Sequence, residues 1–119
     1  MNITELINTI KNHPDYHQAG MILCHNGVVR STSRDGRKVS GLKITVNHKK
    51  LQQIIETSKK TPGIIEILVE ISENQTLSVG DDVMFLVVAG DIRENVIRVL
   101  TDTLNAIKST VTHKTEFFE

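Results

Sequence analysis

The chain has 119 residues, enough for one domain with a buried core and too few for two ordinary ones. Fourteen Lys and Arg balance fourteen Asp and Glu, so no global charge draws the protein to nucleic acid or to an anionic membrane. Any cationic site must be assembled locally, and three Phe, one Tyr and no Trp leave too few rings for a base-stacking platform.

Ile3, Leu6, Ile7 and Ile10 fall at i, i+3, i+4 and i+7, one face of a short helix that Pro14 ends. The opening MNITELINTIKNH has no basic start and no unbroken apolar run, so it does not read as a secretory signal. Residues 20–29, GMILCHNGVV, are expected to form a strand, with the only cysteine, Cys24, inside it as a buried, inert thiol. A lone cysteine excludes an intrachain disulfide and fits a reducing compartment. No stretch approaches the roughly 20 apolar residues of a membrane span, so a cytoplasmic protein is expected. SRDGRK follows, in which Asp35-Gly36 is a hairpin turn signal. Beyond it KVSGLKITV alternates, with Leu42, Ile44 and Val46 on one face. These two strands are expected to pair antiparallel around the basic loop.

Asn47 can cap a helix through HKKLQQIIETSKK, whose buried stripe is Leu51, Ile54 and Ile55 and which Pro62-Gly63 stops. IIEILVEI (64–71) reads as a strand, and SENQTLSVGDD as a turn-rich connection. VMFLVVA (83–89) is apolar throughout, the pattern of a central strand covered on both faces. A long helix is expected at about 91–108, with Ile92, Val96, Val99, Leu100, Thr103, Leu104 and Ile107 in helical period. Asp91 is its expected cap, with Glu94 completing a capping box. The tail STVTHKTEFFE reads as a short strand or an extension towards a partner. The order α-β-β-α-β-β-α-β describes a single α+β domain over residues 1–119, with helices flanking a mainly antiparallel sheet.

The chemistry-bearing residues are cations at element ends. Arg30 closes the first strand at GVVR, either as a solvated strand end or as one corner of an anion pocket. Arg93 falls in the first turn of the long helix, where the macrodipole and free N–H groups favour anions. It is there either as an ion-paired surface residue or to face an anionic ligand together with the helix N-terminus. Lys108 lies in the last helical turn, where a cation suits the dipole, and Lys114 follows six residues later beside His113. Each reads as a solvated lysine or as part of a site. His13 and His17 bracket Asp15, but Pro14 spoils a helical i, i+4 arrangement, so no metal site is expected. With no phosphate-cradling glycine loop or nucleophile elbow, the pattern suits electrostatic positioning of an anionic substrate.

Over about residues 18–118 the chain resembles the MoaE family, the large subunit of molybdopterin synthase. AGMILCHNGVVR is similar to the family's strand ending in G-x-V-R, which lays Arg30 on its arginine. VGDDVMFLVVAGDIRENVI resembles the family stretch that runs from P-G-D-x-[IV]-x-[FV] to H-R-x-x-A-F, which lays Arg93 on the arginine of the His-Arg pair. LNAIKSTVTHKTEFF is similar to a helix end D-x-[LI]-K followed by W-K-x-E, which lays Lys108 and Lys114 on the two lysines.

The resemblance implies an α/β-hammerhead-like fold and a homodimer. A small ubiquitin-fold sulfur carrier, MoaD-like, would dock at each end to give a heterotetramer. Its C-terminal Gly-Gly thiocarboxylate would donate sulfur to cyclic pyranopterin monophosphate, and two transfers would build the dithiolene of molybdopterin. Implied roles are catalysis for Lys108 and Lys114 and substrate binding for Arg30 and Arg93, with no metal, cofactor, nucleic acid or membrane involved. The chain departs from the family pattern in having Ile92 for the histidine of the His-Arg pair, His113 for the tryptophan, and Val96-Ile97 for A-F. Its two lysines are also one residue closer together. Those departures favour an alternative, a non-catalytic paralogue acting as a binding or regulatory module for a phosphorylated ligand or the carrier. Retention of both lysines favours the enzyme. A dimeric scaffold with solvated cations is the third reading.

Overall fold

The computed structural model describes residues 1–119. A strand that is apolar at consecutive positions has no face to offer water and must be covered on both sides. Strand β5 (Asp82–Gly90) meets that demand, with every residue from Met84 to Ala89 buried. It is the middle strand of a three-stranded sheet, between β1 (Met21–Val28) and β3 (Ile64–Ile71). Alternation sends Phe85, Val87 and Ala89 against Leu6 and Ile10 of helix α1 (Ile3–Lys11). Leu86 and Val88 face the other way, onto Val96 and Val99 of helix α3 (Arg93–Thr110). The expected central strand is therefore present and doubly covered.

The second sheet has the order β4-β2-β6, formed by Thr76–Ser78, Val39–Val46 and Thr112–Phe118. Its core side carries Leu42, Ile44 and Leu77, joined by Val29. Helix α2 (His48–Lys59) starts as expected at Asn47, whose side chain accepts from the Lys50 N–H at 3.1 Å. It packs on α3, where the buried Thr103 hydroxyl donates to Ser58 Oγ at 3.0 Å. Met84, Ile107 and Val111 form a cluster with Val46, Leu51 and Ile54 that joins the two sheets through the α2 and α3 faces between them. Every strand pairing is antiparallel, and the fold is α+β, as the element order implies. No helix is long and apolar enough to cross a membrane.

Several local expectations are corrected. The strands flanking the basic loop do not pair with each other: β1 pairs with β5, and β2 with β4 and β6. The apolar edge of β5 captures β1, and Val29 then crosses into the second core. Its N–H donates to the Asp81 carbonyl at 2.9 Å, and its carbonyl accepts from the Gly80 N–H at 2.8 Å. The Asp35-Gly36 turn does form, with Gly36 at φ +86° and a single Thr32–Lys38 bridge closing the loop. Within the stretch expected to be turns, Thr76–Ser78 forms β4, which Gly41 admits, because a Cβ there would lie 2.4 Å from the Leu77 carbonyl oxygen. The N-cap position of helix α3 is Ile92, which supplies no side-chain cap, and not Asp91. The Asp91 carboxylate accepts from the Asn95 amide at 2.9 Å and from the Ile92 N–H at 2.7 Å, and these bonds, the Asn95 one first, hold its pKa below the usual carboxylate value. Ile92, expected on the buried stripe, is 53% exposed. Cys24 is exposed on the outer side of β1 and not buried; its surroundings still screen the sulfur enough to push the thiol pKa up.

Because Leu86 is wholly buried at the centre of this arrangement, Leu86→Ala is expected to lower unfolding stability by about 2–5 kcal/mol. Equilibrium denaturation of parent and variant measures it, and a loss below about 1 kcal/mol would contradict the double coverage of β5.

Candidate functional site

Two rows converge on the site. On β1, Met21, Leu23, His25 and Gly27 alternate onto one face, while Cys24, Asn26 and Val28 are exposed on the other. On α3, Val96, Leu100, Leu104 and Lys108 recur every four residues along the surface that meets this sheet. Met21, Leu23, Leu100 and Leu104 pack with the core, and the rows turn polar together at His25 and Lys108.

Immediately beyond Lys108 the chain reverses. Val111 ends α3 with its N–H donating to the Ile107 carbonyl at 2.9 Å, and its own carbonyl accepts from the Asn47 N–H at 2.9 Å. That tie launches β6 alongside β2, with Thr112 opposite Val46, Lys114 opposite Ile44 and Glu116 opposite Leu42. Cross-strand partners share a face, so Lys114 projects from the side of the sheet that carries the Leu42–Ile44 core row.

The result is a cavity of about 250 Å³ between the two sheets. Its polar wall is His25, Lys108, Thr112 and Lys114; Leu42, Ile44, Val83 and Met84 form most of the apolar wall. No carboxylate lines it. Lys108 has no ion-pair partner, and Lys114 has only Glu116, at 3.8 Å with the lysine side chain half exposed. Two cations beside apolar walls and without a lining anion make an electropositive hollow.

Of the four cations singled out in the sequence, the structure brings Lys108 and Lys114 together and leaves the arginines elsewhere. Arg30 is exposed just past the end of β1 and does not line the cavity. Arg93 is also exposed, its Nε donating to Glu94 Oε1 at 3.2 Å. It borders a shallow hollow with Gly20, Met21 and Ile92. Fifteen residues along a helix separate Arg93 from Lys108, about 22 Å, so one chain cannot place both at one ligand. No group of three His, Cys, Asp or Glu is arranged to hold a metal ion.

His25 belongs to the site although nothing in sequence composition marks it. The one signal is register: it shares the inward face with Leu23 and Gly27 in a run otherwise apolar on that face. Its Nε2 is the only buried side-chain nitrogen or oxygen in the chain without a hydrogen-bond partner. Burial first, and the charge of Lys108 second, lower its pKa from the ordinary value of 6.5, so the ring is held neutral near pH 7.

The fold and pocket define a class: an α+β protein that gathers two lysines into a carboxylate-free hollow between antiparallel sheets. The family model described as MoaE protein matches residues 1–110, and the chain belongs to that family. Molybdopterin synthase from Staphylococcus aureus is 25% identical, with a TM-score of 0.73 over 86% of this chain and 77% of that one. Molybdopterin cofactor biosynthesis protein E from Burkholderia multivorans matches over all of this chain and 82% of its own, at 16% identity and a TM-score of 0.77. The complex of subunits 1 and 2 of the molybdopterin-converting factor from Helicobacter pylori matches at 15% identity and a TM-score of 0.75, over all of this chain and 80% of that one. No curated protein matches the chain. Family membership and likeness to the staphylococcal synthase give it an enzyme's role in molybdenum-cofactor biosynthesis.

The His25 environment has a consequence for stability. Below about pH 6.5 the unfolded chain takes up a proton that the folded ring resists, so folding stability falls as pH drops from there towards the lowered folded pKa. Denaturation midpoints between pH 5 and 7.5 are expected to decline less steeply in His25→Gln than in the parent. Parallel curves would show that the ring is not held neutral by the fold.

Proposed function

We propose that this chain is the large subunit of a molybdopterin synthase, transferring sulfur from the thiocarboxylated end of a small carrier to cyclic pyranopterin monophosphate. The observation that carries this reading is the convergence of Lys108 and Lys114, from different elements, on one carboxylate-free pocket. Sulfur transfer passes through an oxyanion at the carrier's terminal carbonyl, and an unpaired ammonium beside apolar walls stabilises such charge more strongly than water does. Lys108 holds that place. Its backbone is fixed at the tied junction of α3 and β6, so the cation is positioned before the charge develops. Lys114 holds the pterin or its phosphate from the facing strand.

A ubiquitin-fold carrier is the partner this reading needs, and the Helicobacter pylori relative is a complex of two subunits. Arg93 joins the site only if a second copy of the chain brings it. Ile92 and Ile97, 53% and 47% exposed beside Arg93, are apolar surface suited to such a homodimer contact. Arg30 and the second copy's Arg93 would then clamp the substrate phosphate. The competing reading is a non-catalytic module that binds the carrier or a phosphorylated ligand, and the observation favouring it is Ile92 at the family's histidine position.

Single-turnover conversion of cyclic pyranopterin monophosphate by a thiocarboxylated carrier tests the proposal. Dithiolene product is expected from the parent chain, with the rate reduced about 100-fold or more in Lys108→Ala. Fold stability should stay within about 0.5 kcal/mol of the parent, because Lys108 is exposed and unpaired. Carrier binding without product would establish the non-catalytic module instead. Arg93→Ala is expected to raise the pterin concentration required by about 10-fold, since a charge-assisted hydrogen bond contributes about 1.5–3 kcal/mol. An unchanged KM would remove Arg93 from the site.

A further inference from the structure

A buried hydrogen-bonding atom left without a partner carries the cost of its lost hydration. Only one side-chain atom in this chain is in that position, His25 Nε2, and its ring lines the same pocket as the two lysines. Two residues along the same face is Gly27, where a Cβ would stand 3.3 Å from Nε2 and crowd that edge of the ring. Packing does not explain the residue either. Leu23, one step along the same row, is apolar and packs with the core, and an apolar side chain at position 25 would have no unpartnered nitrogen.

We propose that His25 is a third ligand-contacting residue of the Lys108–Lys114 pocket, donating a hydrogen bond from its imidazole to the anion bound there. The inference rests on the pocket being an anion site, as the proposed function has it. The charged groups facing the ring are Lys108 from α3 and Lys114 from β6, while β2 and β5 present only the apolar Leu42, Ile44, Val83 and Met84. With the pocket empty, cations alone surround the ring, which stays neutral. A bound anion reverses the local field and favours the imidazolium, with the proton drawn from solvent. Binding and protonation are then linked: the anion raises the His25 pKa, and protonation tightens the anion by the same factor.

The ligand chemistry is an oxyanion, which two molecules supply: the pterin's cyclic phosphate and the carboxyl end of the carrier. NMR titration of the His25 imidazole in the full-length chain, alone and with each probe in turn, separates them. The probes are cyclic pyranopterin monophosphate and a peptide ending in Gly-Gly carboxylate. The expected result is a His25 pKa raised by about one unit by the anion that occupies the pocket, equivalent to binding of that anion that tightens as pH falls from 8, up to a limit of about tenfold. A shift with the pterin alone assigns His25 to the phosphate, and a shift with the peptide alone assigns it to the carrier end. His25→Phe keeps a flat ring and removes the hydrogen bond. It is expected to weaken the same probe about tenfold and to abolish the pH dependence of its binding. Lys108 signals that respond to a probe while those of His25 do not would overturn the role of His25 and leave the synthase reading standing. Silence of both residues with both probes would overturn both.

Discussion

The burial of β5 on both faces is the constraint on which the rest of the molecule depends. An all-apolar strand can lie only where a helix layer covers each side, and this fixes α1 over Phe85, Val87 and Ala89 and α3 over Leu86 and Val88. With α3 held there, its four-residue row runs parallel to the inward row of β1, and the two end together at Lys108 and His25. The α3 terminus then turns at Val111 into β6, whose register with β2 brings Lys114 round to the same hollow. The pocket is a by-product of covering one strand, built from the last turn of a helix, the end of one sheet and the edge of another. Its backbone frame is set by that core, while both lysine side chains are exposed.

The electrostatics follow from what is missing. Elsewhere the cations near carboxylates are engaged: Lys59 pairs with Glu66 at 2.6 Å, and Arg93 with its neighbour Glu94. In the pocket the only local carboxylate is Glu116, at the outer edge beside Lys114. Lys108 has no ion-pair partner, and the carbonyl end of the α3 dipole stabilises its charge without neutralising it. A chain of zero net charge thus produces a local positive field by withholding anions from one place. Global composition hides such a site.

How much of this was legible in the sequence differs by element. Periodicity located all three helices and the strand at 83–89, because each is long or uniformly apolar. The pairing of β1 was not legible: Asp35-Gly36 does make a turn, but strand partners are chosen by apolar surface far along the chain, and β5 outcompetes β2. The three-residue β4 was equally hidden, being too short to alternate. Asp91 has the right residue type for a cap, yet the helix begins two residues later, and its carboxylate holds the preceding turn through Ile92 and Asn95. Lys108 and Lys114 were legible as cations at element ends and through the family resemblance, whereas their convergence needed the β2–β6 register. Arg30 and Arg93, named by the same resemblance, lie outside the cavity of a single chain. His25 was masked by its apolar neighbours, since a histidine in a strand shows its meaning only once its facing row is known.

The central claim is that the Lys108–Lys114 hollow is where the ligand binds, and the most direct measurement is residue-resolved NMR of the chain as cyclic pyranopterin monophosphate is added. Perturbations concentrated at Lys108, Thr112, Lys114 and the strand ends around Gly27 are the result this account predicts. Perturbations confined to another face, such as the α2 surface around Gln52 and Glu56, with the pocket signals unmoved, would contradict it.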